Sequence, residues 1–153
     1  MTKLVYIDVG THFGQEFQSM FGSSWYFFWK LVRRIIGFYI LRKGQKISAK
    51  NILELIRERR KIKKNEKNFL TYFIEANPKI INHSNVYKKA LGVFNFALTG
   101  NDNVNITNLY LANFSWEGEI SQGSSIFPHK DNVSKEKFLP TIGVPAKLFF
   151  DIF

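Results

Sequence analysis

The segment Leu4–Gly14 constrains the fold of this chain more than any other part of the sequence. An apolar run ends in Asp8, Gly10 and Gly14 follow at a spacing of four, and Gln15 opens a helix-like pattern. This order predicts a buried strand, a tight turn and a helix. Open α/β sheets bind nucleotide-like ligands at such a turn, where glycine permits positive φ and close approach of the backbone. We therefore predict an α/β fold with a ligand at this turn, and a turn without a ligand is the alternative.

A second apolar run, Leu70–Glu75, also ends in an acid, and Asn77-Pro78 then stops the strand. In doubly wound folds, an acid at the end of the second strand accepts hydrogen bonds from ribose hydroxyls. A carboxylate can accept both hydroxyls with charge-assisted strength. Glu75 is therefore a predicted ribose ligand, and an ordinary exposed loop acid is the alternative.

Four short segments occur in an order that resembles the FkbM-type methyltransferases, which use S-adenosylmethionine. Tyr6–Gly14 resembles the first motif of that family, and Phe73–Pro78 resembles its second-strand motif, an acid followed by Asn-Pro. Asn85–Gly92 is similar to its third strand, which ends in Ala-Leu-Gly, and Gly123–Ile126 resembles a later Ser-Ser-Leu stretch. The resemblance covers residues 4–16 and 70–126 with gaps.

The resemblance implies a partial Rossmann-like class I methyltransferase fold, with a mainly parallel sheet, and O-methylation of a small-molecule or sugar acceptor. It implies that Asp8, Gly10 and Gly14 shape the cofactor turn, with Asp8 near the positively charged end of S-adenosylmethionine. Glu75 would hold the ribose, and the backbone of Ala76 and Lys89-Ala90 would flank the adenine. The cofactor-binding residues expected on this basis are Asp8, Gly10, Thr11, His12, Gly14, Glu16, Glu75, Ala76, Asn77, Lys89 and Ala90.

The spacing of the two acids predicts an insertion. Asp8 and Glu75 are separated by 67 positions, whereas a compact βαβ unit places its acid about 20 residues on. We expect one methyltransferase-like domain over 1–153 that contains a helical basic insertion at 23–67. The sequence has no match to the family's later Lys-Ile-Asp-x-Glu-Gly strand, so we expect the N-terminal, cofactor-binding half of such an enzyme. A gene fragment, one half of a split protein whose partner is the C-terminal half, and a degenerate copy are the open alternatives.

The basic charge is concentrated in this insertion. Residues 30–67 hold 14 Lys/Arg and 3 Glu, a net charge of +11, while the whole chain carries +10. Apolar residues recur at three- and four-residue steps and predict one helix face: Trp25, Phe28, Trp29, Val32, Ile36, Tyr39 and Ile40. Packing of this stripe on the sheet, an interfacial helix lying on a membrane and a lid over the active site are the open interpretations.

A second helix is predicted from Ser48, its N-cap, through Lys64. Its carboxyl end is densely cationic: Arg57, Arg59, Arg60, Lys61, Lys63 and Lys64. A solvated charged face is one interpretation. A patch for the phosphate groups of lipid, nucleic acid or a sugar phosphate is the other.

The sequence does not single out a catalytic base among His12, His83 and His129. The absence of cysteine excludes disulfides and thiolate metal sites. With no signal peptide expected before the first strand, the expected location is cytoplasmic, with peripheral attachment to a membrane as an alternative. Two other functions stay open: a non-catalytic α/β module that binds nucleic acid or an anionic membrane surface through the insertion, and a nucleotide-binding oxidoreductase-like domain.

Overall fold

The computed structural model describes residues 3–41, 49–112 and 124–152, with the backbone alone described at 34, 37–41 and 49. Within these ranges the chain forms a mostly parallel sheet, a second, mixed sheet, and five α-helices. The predicted α/β class is therefore confirmed. The chain divides into two compact units, a helical unit of Met1–Leu4 with Gln15–Phe69 and a sheet unit of Val5–Gly14 with Leu70–Phe153.

The first sheet has the spatial order β1-β2-β3, with β1 at Leu4–Val9, β2 at Phe69–Ile74 and β3 at Gly92–Phe94. β2 and β3 run parallel, and Tyr72 lies opposite Gly92. The backbone N–H groups of Gly10 and Thr11 donate to the carbonyl oxygen of Ile74 at 2.8 and 3.2 Å. The carboxyl ends of β1 and β2 therefore meet at one edge of the sheet.

β1 lies at the edge of this sheet, and the prediction that it is a buried strand is wrong. Leu4, Val5 and Val9 are between 44% and 49% exposed, whereas Asp8 is buried. An edge strand pairs on one side only, so its apolar side chains have fewer neighbours to cover them. Asp8, which was predicted to contact a ligand, is thus the most deeply buried residue of the strand.

The third strand starts later than predicted. Asn85–Lys89 forms a 3₁₀ helix, whose N-cap Ser84 accepts a hydrogen bond on its hydroxyl oxygen from the N–H of Val86. Val86 and the residue after it, Tyr87, are both buried, which fits a helical turn and not the alternation of a strand. Lys89 and Ala90 consequently lie before β3, at its amino end.

The second sheet has the order β4-β6-β5 and consists of β4 at Ala97–Thr99, β5 at Asn105–Ala112 and β6 at Val133–Pro145. β4 runs parallel to β6, and β5 runs antiparallel to it. A short helix, α5 at Ala146–Phe150, follows β6. Within the described ranges these three strands pair among themselves and not with the first sheet.

The helix α4 at Pro78–His83 is joined to β2 by the short connection that contains Glu75 and Asn77. Asn77 is its N-cap, and the side-chain oxygen of Asn77 accepts a hydrogen bond from the N–H of Lys79 at 3.0 Å. Phe73 and Ile80 are at most 1% exposed and pack in the core of the sheet unit. This packing leaves Glu75 at a fixed position between strand and helix.

The helical unit contains α1 at Gln15–Phe21, α2 at Ser24–Leu41 and α3 at Ala49–Lys64. The predicted helix through Lys64 is confirmed, and its predicted cap, Ser48, lies outside the described residues. α1 packs against both longer helices. None of the helices among the described residues has the length and apolar character needed to cross a membrane.

Two cations of the predicted patch are structural. Arg59 is buried, and its Nε and a terminal NH₂ donate to the carbonyl oxygens of Ser19 and Gly22 at 2.9 and 3.0 Å. The Nζ of Lys63 donates to the carbonyl oxygen of Phe21 at 2.8 Å. These carbonyls belong to the last turn of α1 and to the residue after it, and have no partner inside a helix. Arg59 therefore caps a helix and is not part of a solvated face, whereas the partly exposed Lys63 contributes to this cap and also pairs with Glu66.

Candidate functional site

Glu75 is a buried acid at the carboxyl end of the first sheet. Its side chain follows β2 and the residue is 4% exposed. One carboxylate oxygen, Oε2, accepts the backbone N–H of His12 at 2.8 Å, and the other, Oε1, accepts the N–H of Asn77 at 2.9 Å. The interpretation of Glu75 as an exposed loop acid is therefore wrong. A carboxylate offers about four lone-pair positions, so each oxygen keeps one for a ligand.

The turn after β1 has a left-handed backbone at three of its five positions. Gly10, His12 and Gly14 have φ values of 66°, 49° and 69°. At Gly14 a Cβ would also meet Val86 Cγ2 at 2.5 Å, so both the conformation and the space require glycine. His12 carries a side chain at a φ that L residues adopt at a cost, and its neighbours hold it there.

Tyr87 holds the turn from the other side. Its hydroxyl donates to the carbonyl oxygen of His12 at 2.6 Å, and its ring packs edge-on against Phe73. Burial, and then the negative charges of Glu75 and Asp8, raise the pKa of the Tyr87 phenol. The backbone hydrogen bonds from Gly10 and Thr11 to Ile74 bring the ends of β1 and β2, and with them the two acids, to the same end of the sheet. The sequence interpretation missed Tyr87, because it placed this segment in a strand.

A cavity of about 180 Å³ opens beside Glu75 within the sheet unit. It is lined by the ends of the first two strands, by α4, and by residues of the second sheet and the segment after it: Val9, Gly10, His12, Ile74, Glu75, Ala76, Ile80, Phe96, Ala97, Leu98, Leu109, Ser124, Ser125 and Ile126. The volume is below the range of about 300–1,000 Å³ usual for ligand pockets. The cavity is thus too small to enclose an entire dinucleotide.

One ring nitrogen of His12, a residue that lines this cavity, has no hydrogen-bond partner among the described residues. Nδ1 is buried, makes no hydrogen bond within the described part of the chain, and lies 3.7 Å from Oε2 of Glu75. That separation is beyond hydrogen-bonding distance. Because a buried polar atom without a partner is costly, this nitrogen is suited to a hydrogen bond with a bound ligand.

Four of the expected cofactor residues line the cavity: Gly10, His12, Glu75 and Ala76. Four others build its frame. Thr11 donates through its hydroxyl to the carbonyl oxygen of Asp8 at 2.8 Å, and the N–H of Gly14 donates to the carbonyl oxygen of Thr11. Asn77 is fully buried as the cap of α4. Asp8 does not line the cavity, and its predicted contact with a ligand stays a prediction.

Three expected residues lie elsewhere. Glu16 belongs to the helical unit, where its carboxylate pairs with the Nζ of Lys30 at 2.6 Å. Lys89 and Ala90 precede β3, whereas the cavity lies at the carboxyl ends of β1 and β2. β3 starts seven residues later than predicted, so these two residues lie before its amino end and not at its carboxyl end.

The segment that does reach the cavity is Phe96–Leu98, directly after β3. The sequence contains an Ala-Leu pair at both Ala90-Leu91 and Ala97-Leu98, and the second pair is the one placed at the site. Ser124–Ile126, part of the last matched segment, also lines the cavity, while Gly123 lies outside the described residues. His83 and His129 are not among the lining residues.

Comparisons of the chain with protein-family models, with curated proteins and with solved structures gave no significant match.

Proposed function

We propose that this chain is the cofactor-binding portion of an S-adenosylmethionine-dependent methyltransferase of the FkbM type, which methylates an oxygen of a small-molecule or sugar acceptor. The observation that carries the proposal is Glu75, a buried acid at the end of β2 that faces a cavity with two lone-pair positions in reserve. A ribose presents two neighbouring hydroxyl donors, which match those two positions.

The order of the first sheet supports the proposal. β3-β2-β1 is the strand order of the first half of a doubly wound nucleotide-binding fold. In such folds the ligand lies beyond the carboxyl ends of the strands, and the cavity beside Glu75 is at that edge. The glycine turn after β1 also opens α1, as the fold requires.

The residues present fit the nucleoside part of the cofactor. Glu75 would accept from the ribose, and Nδ1 of His12 would accept from or donate to a polar group of the ligand. The apolar lining from Phe96, Leu98 and Ile126 suits a flat adenine ring. When bound, S-adenosylmethionine supplies an activated methyl group, and the role of this chain is to hold and orient it.

Binding of S-adenosylhomocysteine tests the proposal. Isothermal titration of the chain should give saturable binding to S-adenosylhomocysteine and none to NAD. Ala76→Trp places a large ring in the cavity and should weaken binding at least tenfold. Val133→Ala is the matched control, because Val133 is buried in the sheet unit away from the cavity, so this variant loses stability and keeps affinity.

Three results would reject this function. The first is preference for NAD, which favours an oxidoreductase-like domain. The second is an affinity for S-adenosylhomocysteine that Ala76→Trp leaves unchanged. The third is the absence of any binding to the folded chain.

A further inference from the structure

α2 presents an aromatic face to solvent. Trp25 is 66% exposed, and Phe28, Trp29 and Ile36 are each about half exposed. Their spacing places them on one side of the helix. The rings contact each other, with Trp25 to Phe28 at 6.0 Å and Trp25 to Trp29 at 5.8 Å between centroids. The interpretation that this stripe packs on the sheet is wrong for these four exposed residues, and the side chains of Tyr39 and Ile40 lie outside the described part of the chain.

The rest of α2 is occupied within the helical unit. The guanidinium of Arg59 lies over the ring of Phe27 at 4.7 Å. On the flank, Lys30 donates from Nζ to the carbonyl oxygen of Gln15 at 3.3 Å and also pairs with Glu16. The aromatic face is therefore the outward side of a helix that is already anchored. A contiguous exposed apolar patch of this kind marks an interaction surface.

The helical unit also carries exposed cations. Arg33 of α2 is exposed, as are Arg57, Arg60 and Lys64 of α3. The segment 30–67 carries a net charge of +11. A partner that buries this unit must therefore supply both an apolar phase and negative charge.

We propose that α2 docks the protein on a phospholipid bilayer that contains anionic lipids, lying in the plane of the interface. Tryptophan is favoured at the boundary between acyl chains and headgroups, and cations beside an apolar helix face strengthen binding to anionic lipid. A second copy of this chain would bring two strongly basic units together, which charge repulsion opposes. Stacking of the rings on each other fits a lipid-facing cluster better than separate platforms for nucleic-acid bases. This inference does not rest on the cofactor proposal.

Sedimentation with vesicles tests the inference. The chain should sediment with phosphatidylcholine vesicles that contain phosphatidylserine, and less with phosphatidylcholine alone or at high salt. In a Trp116→Phe background, tryptophan emission should shift to shorter wavelength and be quenched by brominated acyl chains. This quenching reports on Trp25 and Trp29 alone.

Two variants separate the contributions of the apolar face and the charges. Trp25→Gln with Phe28→Gln should lower vesicle partitioning by about tenfold or more. The matched control, Ile106→Gln with Phe127→Gln, replaces two exposed apolar residues of the sheet unit and should leave partitioning unchanged. Arg33→Gln with Arg57→Gln and Arg60→Gln should remove most of the dependence on phosphatidylserine.

Several outcomes would overturn the inference. One is an equal loss of vesicle partitioning in the α2 variant and in the control. The others are the absence of partitioning into anionic vesicles and a tryptophan emission wavelength that lipid does not change. A concentration-dependent dimer that Trp25→Gln dissociates would assign the face to a second copy instead. The inference would also be contradicted if nucleic acid displaced the chain from vesicles and if Trp25→Gln abolished this binding of nucleic acid.

Discussion

The hydroxyl of Tyr87 donates a 2.6 Å hydrogen bond to the carbonyl oxygen of His12, which lies 75 positions earlier in the chain. His12 has a left-handed backbone, and its N–H donates to Glu75 at the same time. Both backbone polar groups of one strained residue are thus held by buried side chains. This arrangement stabilises the turn that lines the cavity, because local strain persists only where the surroundings determine the conformation.

Tyr87→Phe removes one of these contacts and should destabilise the sheet unit by about 1–2 kcal/mol. Burial, Glu75 and Asp8 raise the pKa of the Tyr87 phenol. Above pH ~10 the unfolded chain loses this proton while the folded chain retains it, so stability falls by about 1.4 kcal/mol per pH unit. Below that pH the phenol is neutral in both states and contributes no slope.

Urea unfolding of the wild type and of Tyr87→Phe between pH ~8 and ~11 measures this effect. The wild type should lose stability more steeply than the variant as the pH rises, so that the two curves converge. A constant difference between the curves over this range would contradict the role assigned to the phenol.

Gly14→Ala should destabilise the sheet unit by about 2–4 kcal/mol, because alanine is strained at positive φ and its Cβ overlaps a packed side chain. The Cβ would lie 2.5 Å from Cγ2 of Val86. Adding Val86→Ala relieves the overlap but not the strain, so the double variant should be at least about 1 kcal/mol more stable than the sum of the single changes predicts.

Gly10→Ala is the matched comparison for Gly14→Ala. Gly10 also has positive φ, yet the nearest atom to an added Cβ is Nε2 of His12 at an ordinary 3.8 Å. This variant should cost only about 1–2 kcal/mol and should show no coupling to Val86→Ala. Additive effects at Gly14 and Val86 in denaturant unfolding would show that the overlap is absent.

Arg59→Lys should destabilise the helical unit by about 1–3 kcal/mol, because one ammonium cannot reproduce the two directed donors of a guanidinium. Those donors hold the carbonyl oxygens of Ser19 and Gly22. Arg60→Lys, at the exposed neighbouring position, should change stability by less than about 0.5 kcal/mol. Hydrogen exchange measures the difference, since Arg59→Lys alone should accelerate the amides of α1.

The sequence was sufficient to locate β1, β2 and the turn between strand and helix, because hydrophobic runs and glycines act locally. It placed β3 wrongly, because Val86, Tyr87 and Ala90-Leu91 form an apolar run whose 3₁₀ turn is set by the cap of Ser84. Short apolar runs do not distinguish strand from helix by pattern alone. For the same reason, Lys89 and Ala90, which were predicted to flank the adenine, do not line the cavity.

The structural cations were also beyond the reach of sequence reasoning. Arg59 and Lys63 belong to a run of basic residues whose pattern predicts a single charged helix end. Which members turn inward depends on the free carbonyls of α1, some 40 positions earlier in the chain. The difference between Asp8 and Glu75 also depends on tertiary structure. Both acids lie at the end of a strand, but only Glu75 lines the cavity.

Glu75→Ala should destabilise the sheet unit by about 2–4 kcal/mol even without a ligand, because the N–H groups of His12 and Asn77 lose a charged acceptor. Glu75→Gln keeps the shape and one acceptor oxygen, so it should lose about half as much. Hydrogen exchange at the amides of His12 and Asn77 reports the change directly, and both should exchange faster in Glu75→Ala.

The two variants also separate structure from binding. If Glu75 accepts hydrogen bonds from a ribose, Glu75→Gln should lower the affinity for S-adenosylhomocysteine at least tenfold in a chain that stays folded. The reason is that a neutral amide offers one acceptor oxygen, whereas the carboxylate offers two. Val133→Ala again controls for stability, since it weakens the fold without altering the cavity. Unchanged affinity in Glu75→Gln, together with unchanged exchange at His12, would mean that this carboxylate neither holds the turn nor meets the ligand.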